Sequence, residues 1–176
     1  MSMKYLKFLK MKLYILTFFL VATTLVAFAQ GPVSKGESQI NFGVGLSSWG
    51  VPVYLGFDYG VHPDITLGAE ASFRSFNDNW HNNRYKHSVI GILGNANYHF
   101  NTVLNIPSPW DFYAGLNLGF YTWRSPNDYE GSHTSGLGLG AQIGGRYYFS
   151  RNTAINLEFG GGNAFTNGKI GLTIKI

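Results

Sequence analysis

The residues in this sequence that could form a catalytic site are His133 and Ser135. They stand two positions apart, a spacing that could pair a general base with a nucleophilic hydroxyl. Such a pair needs an acid to orient the histidine, and the next glutamate, Glu158, is 158 − 133 = 25 residues further on. A histidine beside a serine in a polar segment is more often ordinary loop chemistry. We therefore expect no catalytic site here.

Metal and phosphate sites have weaker support still. The chain has no Cys, which excludes a cysteine-ligated zinc site and a disulfide-stapled scaffold. His81 and His87 are six residues apart in a polar segment, and that spacing fixes no coordination geometry. Gly136, Gly138 and Gly140 lie in a strand-like run with no following helix and no Lys-Ser or Lys-Thr pair, which a phosphate-binding loop needs. The sequence predicts neither a metal nor a cofactor.

The net charge of the chain is concentrated in one segment. The 176 residues carry 13 Lys and Arg against 9 Asp and Glu, a formal charge of +4. Four of the lysines lie in residues 1–12, ahead of an apolar run at 13–28 that is shorter than the roughly 20 residues of a membrane-spanning helix. This order predicts a cleavable signal peptide at 1–29. Without this segment the chain has 13 − 4 = 9 basic and 9 acidic residues, so the mature chain is formally neutral. Its net charge therefore gives no support to a nucleic-acid partner.

After a short polar lead-in at 30–38, residues 39–176 alternate between apolar and polar side chains. The alternation has the two-residue period of a β-strand, and no segment shows a sustained helical period. It runs through eight segments: 39–47, 53–61, 65–74, 88–100, 112–121, 137–149, 155–160 and 170–176. Strands of roughly ten residues are long enough to cross a bilayer at a tilt. We predict one all-β domain, an eight-stranded antiparallel up-and-down transmembrane β-barrel.

The two faces of these strands indicate their surroundings. The polar positions are rich in Gly, Asn, Thr and Tyr, which suits a narrow lumen better than water. The apolar positions contain no charged residue, as a lipid-facing surface requires. Six charged residues fall on the lumen side: Asp58, Glu70, Arg74, Arg146, Glu158 and Lys175. Because ionised groups in a narrow interior must pair or stay hydrated, we predict that Arg146 pairs with Glu158 or Glu70 and that the charges plug the lumen.

Aromatic residues and connection lengths also favour a membrane barrel. We predict an aromatic girdle at one end of the strands: Tyr59, Tyr98, Phe100, Trp110, Phe112, Tyr147 and Phe149. Short turns at 62–64 and 150–152 alternate with long polar loops at 77–87 and 124–135, which we expect on the outer side. The connection at 101–109 is longer than expected for its side. The candidates for contacts made by the outer loops are Trp80, His81, Arg84, Tyr85, Lys86 and His87.

Over its whole mature length the sequence resembles the small eight-stranded outer-membrane β-barrels of Gram-negative bacteria. One departure is the last residue, Ile176, where the family usually has an aromatic side chain. The resemblance implies residence in the outer membrane, contact with outer-membrane lipid and lipopolysaccharide, insertion by the barrel assembly machinery, and a monomer. It says little about activity, because such barrels include anchors, adhesion proteins, narrow pores and lipid-modifying enzymes.

Three functions are compatible with these observations. We favour a non-enzymatic structural protein or surface-interaction scaffold whose outer loops contact an extracellular ligand. The first alternative is a narrow conduit or binding protein for small apolar solutes, lined by Tyr54, Tyr113, Tyr121 and Trp123. The second is a lipid A-modifying enzyme, because His133 and Ser135 resemble the catalytic pair of lipid A deacylating barrels.

The enzyme alternative makes a direct prediction about lipopolysaccharide. We expect the purified barrel to release no fatty acid from lipopolysaccharide, because the histidine and serine lack an acid to orient them. The measurement is mass spectrometry of the lipid after incubation, with a His133→Ala variant as the matched control. Fatty acid released by the unaltered protein and lost in the variant would establish the enzyme instead.

Overall fold

The computed structural model describes Lys12 and residues 32–47, 50–80, 83–126, 135–162 and 168–176. The predicted signal peptide therefore lies outside the described residues except for Lys12. Eight strands follow one another along the described chain: β1 (Ser38–Leu46), β2 (Val53–His62), β3 (Ile65–Trp80), β4 (Asn83–His99), β5 (Trp110–Arg124), β6 (Gly136–Tyr148), β7 (Thr153–Gly162) and β8 (Gly168–Lys175).

Each strand pairs antiparallel with its neighbours in sequence, and β1 pairs with β8 to close the barrel. Closure matters physically because it leaves no unpaired sheet edge along the wall. The prediction of an all-β, eight-stranded, antiparallel up-and-down barrel is confirmed. We call the end where β1 begins and β8 ends the proximal end, and the opposite end the distal end.

The strands have unequal lengths, and this corrects one predicted loop. β3 and β4 contain 16 and 17 residues, whereas β1, β2, β7 and β8 contain 8 to 10. Their pairing continues from Arg74↔Val89 to Trp80↔Asn83, beyond the last β2 partner at Val53↔Phe73. The segment predicted as a loop at 77–87 is therefore mostly a hairpin that projects by roughly 20 Å at about 3.3 Å per residue. Backbone pairing continues there although the apolar alternation has stopped.

Side chains alternate across the wall as the two-residue period requires. Apolar residues of every strand are exposed on the outside, and β5, for example, presents Phe112, Leu116, Leu118 and Phe120. The inward positions are mostly polar and buried, including Asn41, Thr66, Asn117 and Gln142. The molecule is thus inside out relative to a water-soluble protein, with its polar core surrounded by an apolar surface. None of the described residues forms a helix with the length and hydrophobicity of a membrane span.

The lead-in at 32–37 packs against the proximal mouth. Val33 is fully buried, and the backbone N–H of Gly36 donates to the Gly60 carbonyl at 2.8 Å. The N–H of Gly60 in turn donates to the Glu37 carbonyl at 3.0 Å. A side chain at Gly60 would collide with the Ser34 carbonyl, so this glycine makes room for the lead-in. Residues 32–37 are therefore part of the folded barrel.

Close approach of neighbouring strands explains the glycine at position 119. A Cβ added there would lie 2.5 Å from Leu93 Cα and collide with the Ile92 carbonyl. We expect Gly119→Ala to lower the free energy of unfolding by about 1–3 kcal/mol, because the backbone must shift to admit the methyl group. The measurement is urea unfolding in lipid vesicles, with Gly161→Ala as the control because nothing lies within 4 Å of its added Cβ. Equal losses for the two variants would contradict this explanation.

Candidate functional site

The inward side chains form two charged clusters stacked along the lumen. We call the cluster nearer the distal end the upper cluster and the one nearer the proximal end the lower cluster. The upper cluster contains Lys169 of β8, Glu70 of β3 and Glu158 of β7. The Lys169 Nζ lies 2.7 Å from Glu70 Oε2 and 2.6 Å from Glu158 Oε1. Because β8 and β3 are separated on the wall by β1 and β2, the pair of Lys169 with Glu70 crosses the lumen. Two carboxylates thus share one ammonium group inside the barrel.

The lower cluster is centred on Arg146 of β6. Its guanidinium reaches Asp111 Oδ2 of β5 at 3.0 Å and Asp58 Oδ2 of β2 at 3.1 Å. Asp58 also accepts hydrogen bonds from the Gln39 and Asn41 side-chain amides, each at 2.8 Å. All three charged groups are buried, so these direct contacts replace the water that would otherwise solvate them.

Asp111 joins this cluster to a histidine and a threonine. Its Oδ1 lies 2.7 Å from His99 Nδ1, and His99 Nε2 lies 3.1 Å from Thr66 Oγ1. A hydroxyl, an imidazole and a carboxylate in this order resemble a hydrolytic triad. All three side chains are at most 1% exposed, however, and the other oxygen of Asp111 is bound to Arg146. A substrate has no access to the hydroxyl, so the arrangement anchors the cluster to β3 and β4.

Tyr113 of β5 connects the two clusters. The Arg146 guanidinium lies over its ring, 4.2 Å from the centroid, and its hydroxyl donates to Glu158 Oε2 at 2.9 Å. Gly144 of the neighbouring strand β6 is paired directly with Tyr113, and an added Cβ there would collide with the tyrosine ring. The glycine therefore gives the ring room to lie over β6 and reach Glu158 on β7. The two clusters form one continuous network from Thr66 to Glu70.

The proximal side of the network is sealed by Tyr148 and Lys175. The Tyr148 hydroxyl donates to Gln39 Oε1 at 3.1 Å, and the Lys175 ammonium lies 4.7 Å from the Tyr148 ring centroid. Lys175 also donates to the Pro32 carbonyl at 3.2 Å, which ties the lead-in to β8. The mouth is thus closed by side chains and by the chain's own lead-in.

On the distal side, the network borders a small cavity. Its volume is about 20 Å³, and its lining includes Glu70, Glu158, Lys169, Asn117 and Gln142. The space holds about one water molecule. Asn117 donates to Gln142, and Gln142 donates to Asn97, each at 2.8 Å, so a belt of amides supports the wall beside the charges. The cavity is too small for an organic solute.

The structure brings most of the sequence-predicted lumen residues together but changes their partners. Arg146 was predicted to pair with Glu158 or Glu70; this is wrong, because it contacts Asp58 and Asp111. Of the remaining predicted residues, Arg74 lies on the distal side of the upper cluster and donates to Ser47 Oγ at 3.1 Å. Lys175 lies at the proximal mouth.

Asp111 and Lys169 are functional residues that the sequence analysis missed. Each stands one residue before the alternating segment to which it belongs, on the inward-facing parity. Extending the alternation by one position in segments 112–121 and 170–176 would have found both. The two clusters depend on them, since Asp111 holds Arg146 and Lys169 holds both glutamates.

The structure places the predicted outer-loop contact residues in different surroundings. His87 is fully buried on the inward face, where its Nδ1 lies 2.9 Å from Ser125 Oγ, so its assignment to an exposed contact is wrong. Lys86 is exposed on the hairpin and Tyr85 is half-buried. His81, His133 and the side chains of Trp80 and Arg84 lie outside the described residues. Within the described ranges, no group of three His, Asp or Glu side chains is placed to hold a metal ion.

The residues of the predicted aromatic girdle do not encircle the barrel but form an arc along one side of it. All seven residues face outward at the proximal end, but six of them lie on or directly beside β4, β5 and β6. The rings touch, with Trp110 stacked on Phe112 at 5.7 Å and 4.8 Å from Tyr147. Tyr59 of β2 stands apart from this group. The strand alternation placed these residues on the outside but gave no information about their positions around the barrel.

Lys169 is the only cation among the described contacts of the upper cluster, so its removal should lower the stability of the protein substantially. We expect Lys169→Met to lower the free energy of unfolding by about 3–5 kcal/mol, because two buried carboxylates lose their shared partner. Adding Glu70→Gln and Glu158→Gln to this variant should recover most of the loss, since no unpaired charge then remains. The measurement is urea unfolding in vesicles.

Lys86→Met, at an exposed lysine, is the matched control and should change stability by less than about 0.5 kcal/mol. A Lys169→Met loss no larger than that of the control would contradict the shared-partner geometry. A triple variant as unstable as the single one would show that the ammonium acts through packing rather than charge.

Known structures share the barrel fold. No family model matches the chain, and no curated protein matches its sequence. OprG from Pseudomonas aeruginosa is similar to it with a TM-score of 0.63 at 14% identity, over 84% of this chain and 99% of that one. The N-terminal barrel of Pseudomonas aeruginosa OprF has a TM-score of 0.53 at 15% identity, over 81% and 98%. Neisserial surface protein A has 0.51 at 17%, over 80% and 94%. The chain has the fold of the small eight-stranded outer-membrane β-barrels.

Proposed function

We propose that this protein is a non-enzymatic outer-membrane barrel whose plugged lumen makes it a rigid scaffold for surface interactions. The observation that carries the proposal is the pair of charged clusters that cross the lumen. A barrel built to conduct would place its charges against the wall around a water-filled path. Here Lys169 and Arg146 each bridge two acids on different strands, and Tyr113 fills the space between the clusters.

Residence in a membrane is supported by the outer surface. Large apolar side chains are exposed on all eight strands, including Leu55, Ile92, Leu116, Leu139 and Ile170. Water-soluble proteins do not expose continuous apolar bands of this extent. The proximal end, with the lead-in, would face the periplasm, and the β3–β4 hairpin at the distal end would face outward. Outer-membrane lipid and lipopolysaccharide are then the surrounding partners.

The scaffold role is supported by the projecting hairpin. β3 and β4 are continuous from the barrel wall to Trp80 and Asn83, so the sheet itself supports the hairpin. Lys86 is exposed there and is placed to meet an anionic group such as a lipopolysaccharide phosphate. The conduit alternative is disfavoured by the contacts of two predicted lining residues. The Tyr54 hydroxyl is hydrogen-bonded to Asn156, and the Tyr113 hydroxyl is hydrogen-bonded to Glu158.

A closed lumen predicts the electrical behaviour of the protein. We expect no reproducible single-channel conductance in planar bilayers, because ions would have to displace buried ion pairs in both clusters. Insertion is verified separately by flotation of the protein with vesicles of the same lipid. Stable channel openings from correctly inserted protein would overturn the plugged-lumen proposal and favour the conduit.

Orientation in the outer membrane can be tested on intact cells because the chain has no Cys. We expect a Lys86→Cys variant to react with a membrane-impermeant maleimide and a Pro63→Cys variant not to react. Pro63 lies in the proximal turn between β2 and β3 and is exposed, so it controls for the periplasmic side. Both variants should react after the cells are lysed. Labelling only of Pro63→Cys in intact cells, or of neither variant, would contradict the proposed placement.

A further inference from the structure

The proximal rim carries far more interfacial apolar surface on one side of the barrel than on the other. The aromatic arc consists of Tyr98, Phe100, Trp110, Phe112, Tyr147 and Phe149. At the same end, β1, β7 and β8 present Ile40, Ile155 and Ile174 on their outer faces, with no aromatic side chain. Tyrosine and tryptophan favour the boundary between acyl chains and headgroups, so the boundary is marked mainly on one side.

The β4–β5 connection extends this surface beyond the end of the strands. Val103 and Leu104 are 60% and 65% exposed, although they lie in a turn held firmly by hydrogen bonds. The N–H of Leu104 donates to the Phe100 carbonyl at 2.9 Å, and that of Ile106 to the Asn101 carbonyl at 3.0 Å. The geometry therefore holds two large aliphatic side chains outward at a fixed place.

The turn is fastened directly to the aromatic arc. The Asn101 side chain donates to the Trp110 carbonyl at 2.6 Å and accepts from the Phe112 N–H at 3.3 Å. The turn thus leaves the arc at Phe100 and returns to it at Trp110. The exposed Val103 and Leu104 therefore belong to a turn that is joined at both ends to the aromatic arc.

A groove in the outer wall adjoins the same arc. Its volume is about 500 Å³, and the outward-facing Gly145 of β6 lies between Phe112 of β5 and Leu157 of β7. Gly145 leaves this part of the groove floor without a side chain. A flexible acyl chain can fill such an irregular apolar surface, and the groove lies within the band that faces lipid.

We propose that the aromatic arc and the turn at 101–109 form a one-sided anchor that inserts into the phospholipid leaflet at the proximal end. The occupant is phospholipid because the anchor is continuous with the lipid-facing band and borders an apolar groove in it. Val103 and Leu104 lie at headgroup depth or deeper, and the barrel sits lower in the membrane on the β4–β6 side. This inference rests on the membrane residence proposed above.

The test uses single cysteines carrying a nitroxide spin label, which the Cys-free chain allows. Labels are placed by Leu104→Cys in the turn, by Pro63→Cys in the β2–β3 turn at the same end, and by Leu116→Cys on the outer wall, where the side chain is 69% exposed. The protein is reconstituted in phosphatidylethanolamine and phosphatidylglycerol vesicles. Electron paramagnetic resonance then compares collisions with oxygen, which concentrates in lipid, and with a water-soluble nickel chelate.

We expect the labels at 104 and 116 to collide with oxygen and the label at 63 to collide with the nickel chelate. A label at 104 that behaves like the one at 63, while 116 remains in lipid, overturns the anchor and leaves membrane residence intact. A label at 116 in water overturns membrane residence itself. Protection of 104 from both reagents, or spin–spin broadening that disappears on dilution with unlabelled protein, shows a protein contact or a second copy and also overturns the anchor.

Discussion

The constraint on which this structure depends is that charges buried inside the narrow barrel must find a compensating partner within reach. A buried carboxylate or guanidinium without a partner costs several kcal/mol, and an eight-stranded barrel has little room for water to replace the partner. Lys169 and Arg146 meet this constraint by each holding two acids from different strands. The lumen is closed because the same contacts that neutralise the charges also cross the interior.

Small residues make these crossings sterically feasible. Gly144 lets the Tyr113 ring lie over β6 and reach Glu158 on β7, and that ring joins the upper and lower clusters. Gly60 leaves room for the lead-in, which Lys175 then holds through the Pro32 carbonyl. Packing and electrostatics therefore act together: glycine on one strand provides the space for a large polar side chain from another. The polar core that results is densely connected by hydrogen bonds and ion pairs, which is the basis of the proposed scaffold role.

The outer surface follows a different rule, because lipid places no demand for pairing on apolar side chains. It requires only that charges be absent and that polar aromatic groups lie near the boundaries. At the proximal end the boundary aromatic residues lie mainly on β4–β6, and the exposed Val103 and Leu104 increase this asymmetry. Because the outer face needs only to be apolar, its aromatic residues can be distributed unevenly around the barrel, whereas the inner face is restricted by the partners that its charges require.

The sequence by itself determined the number of crossings, the side of the wall on which each residue lies, and the presence of charges in the lumen. These are local properties, because the two-residue alternation can be read within a single strand. The long β3–β4 hairpin was missed because the apolar alternation stops before the pairing does. Only the tertiary structure decided which charges meet. Lys169 and Glu70 are 99 residues apart in the chain, and Arg146 and Asp58 are 88 apart. Their contact depends on barrel closure and on the stagger of non-neighbouring strands, and no single strand carries that information.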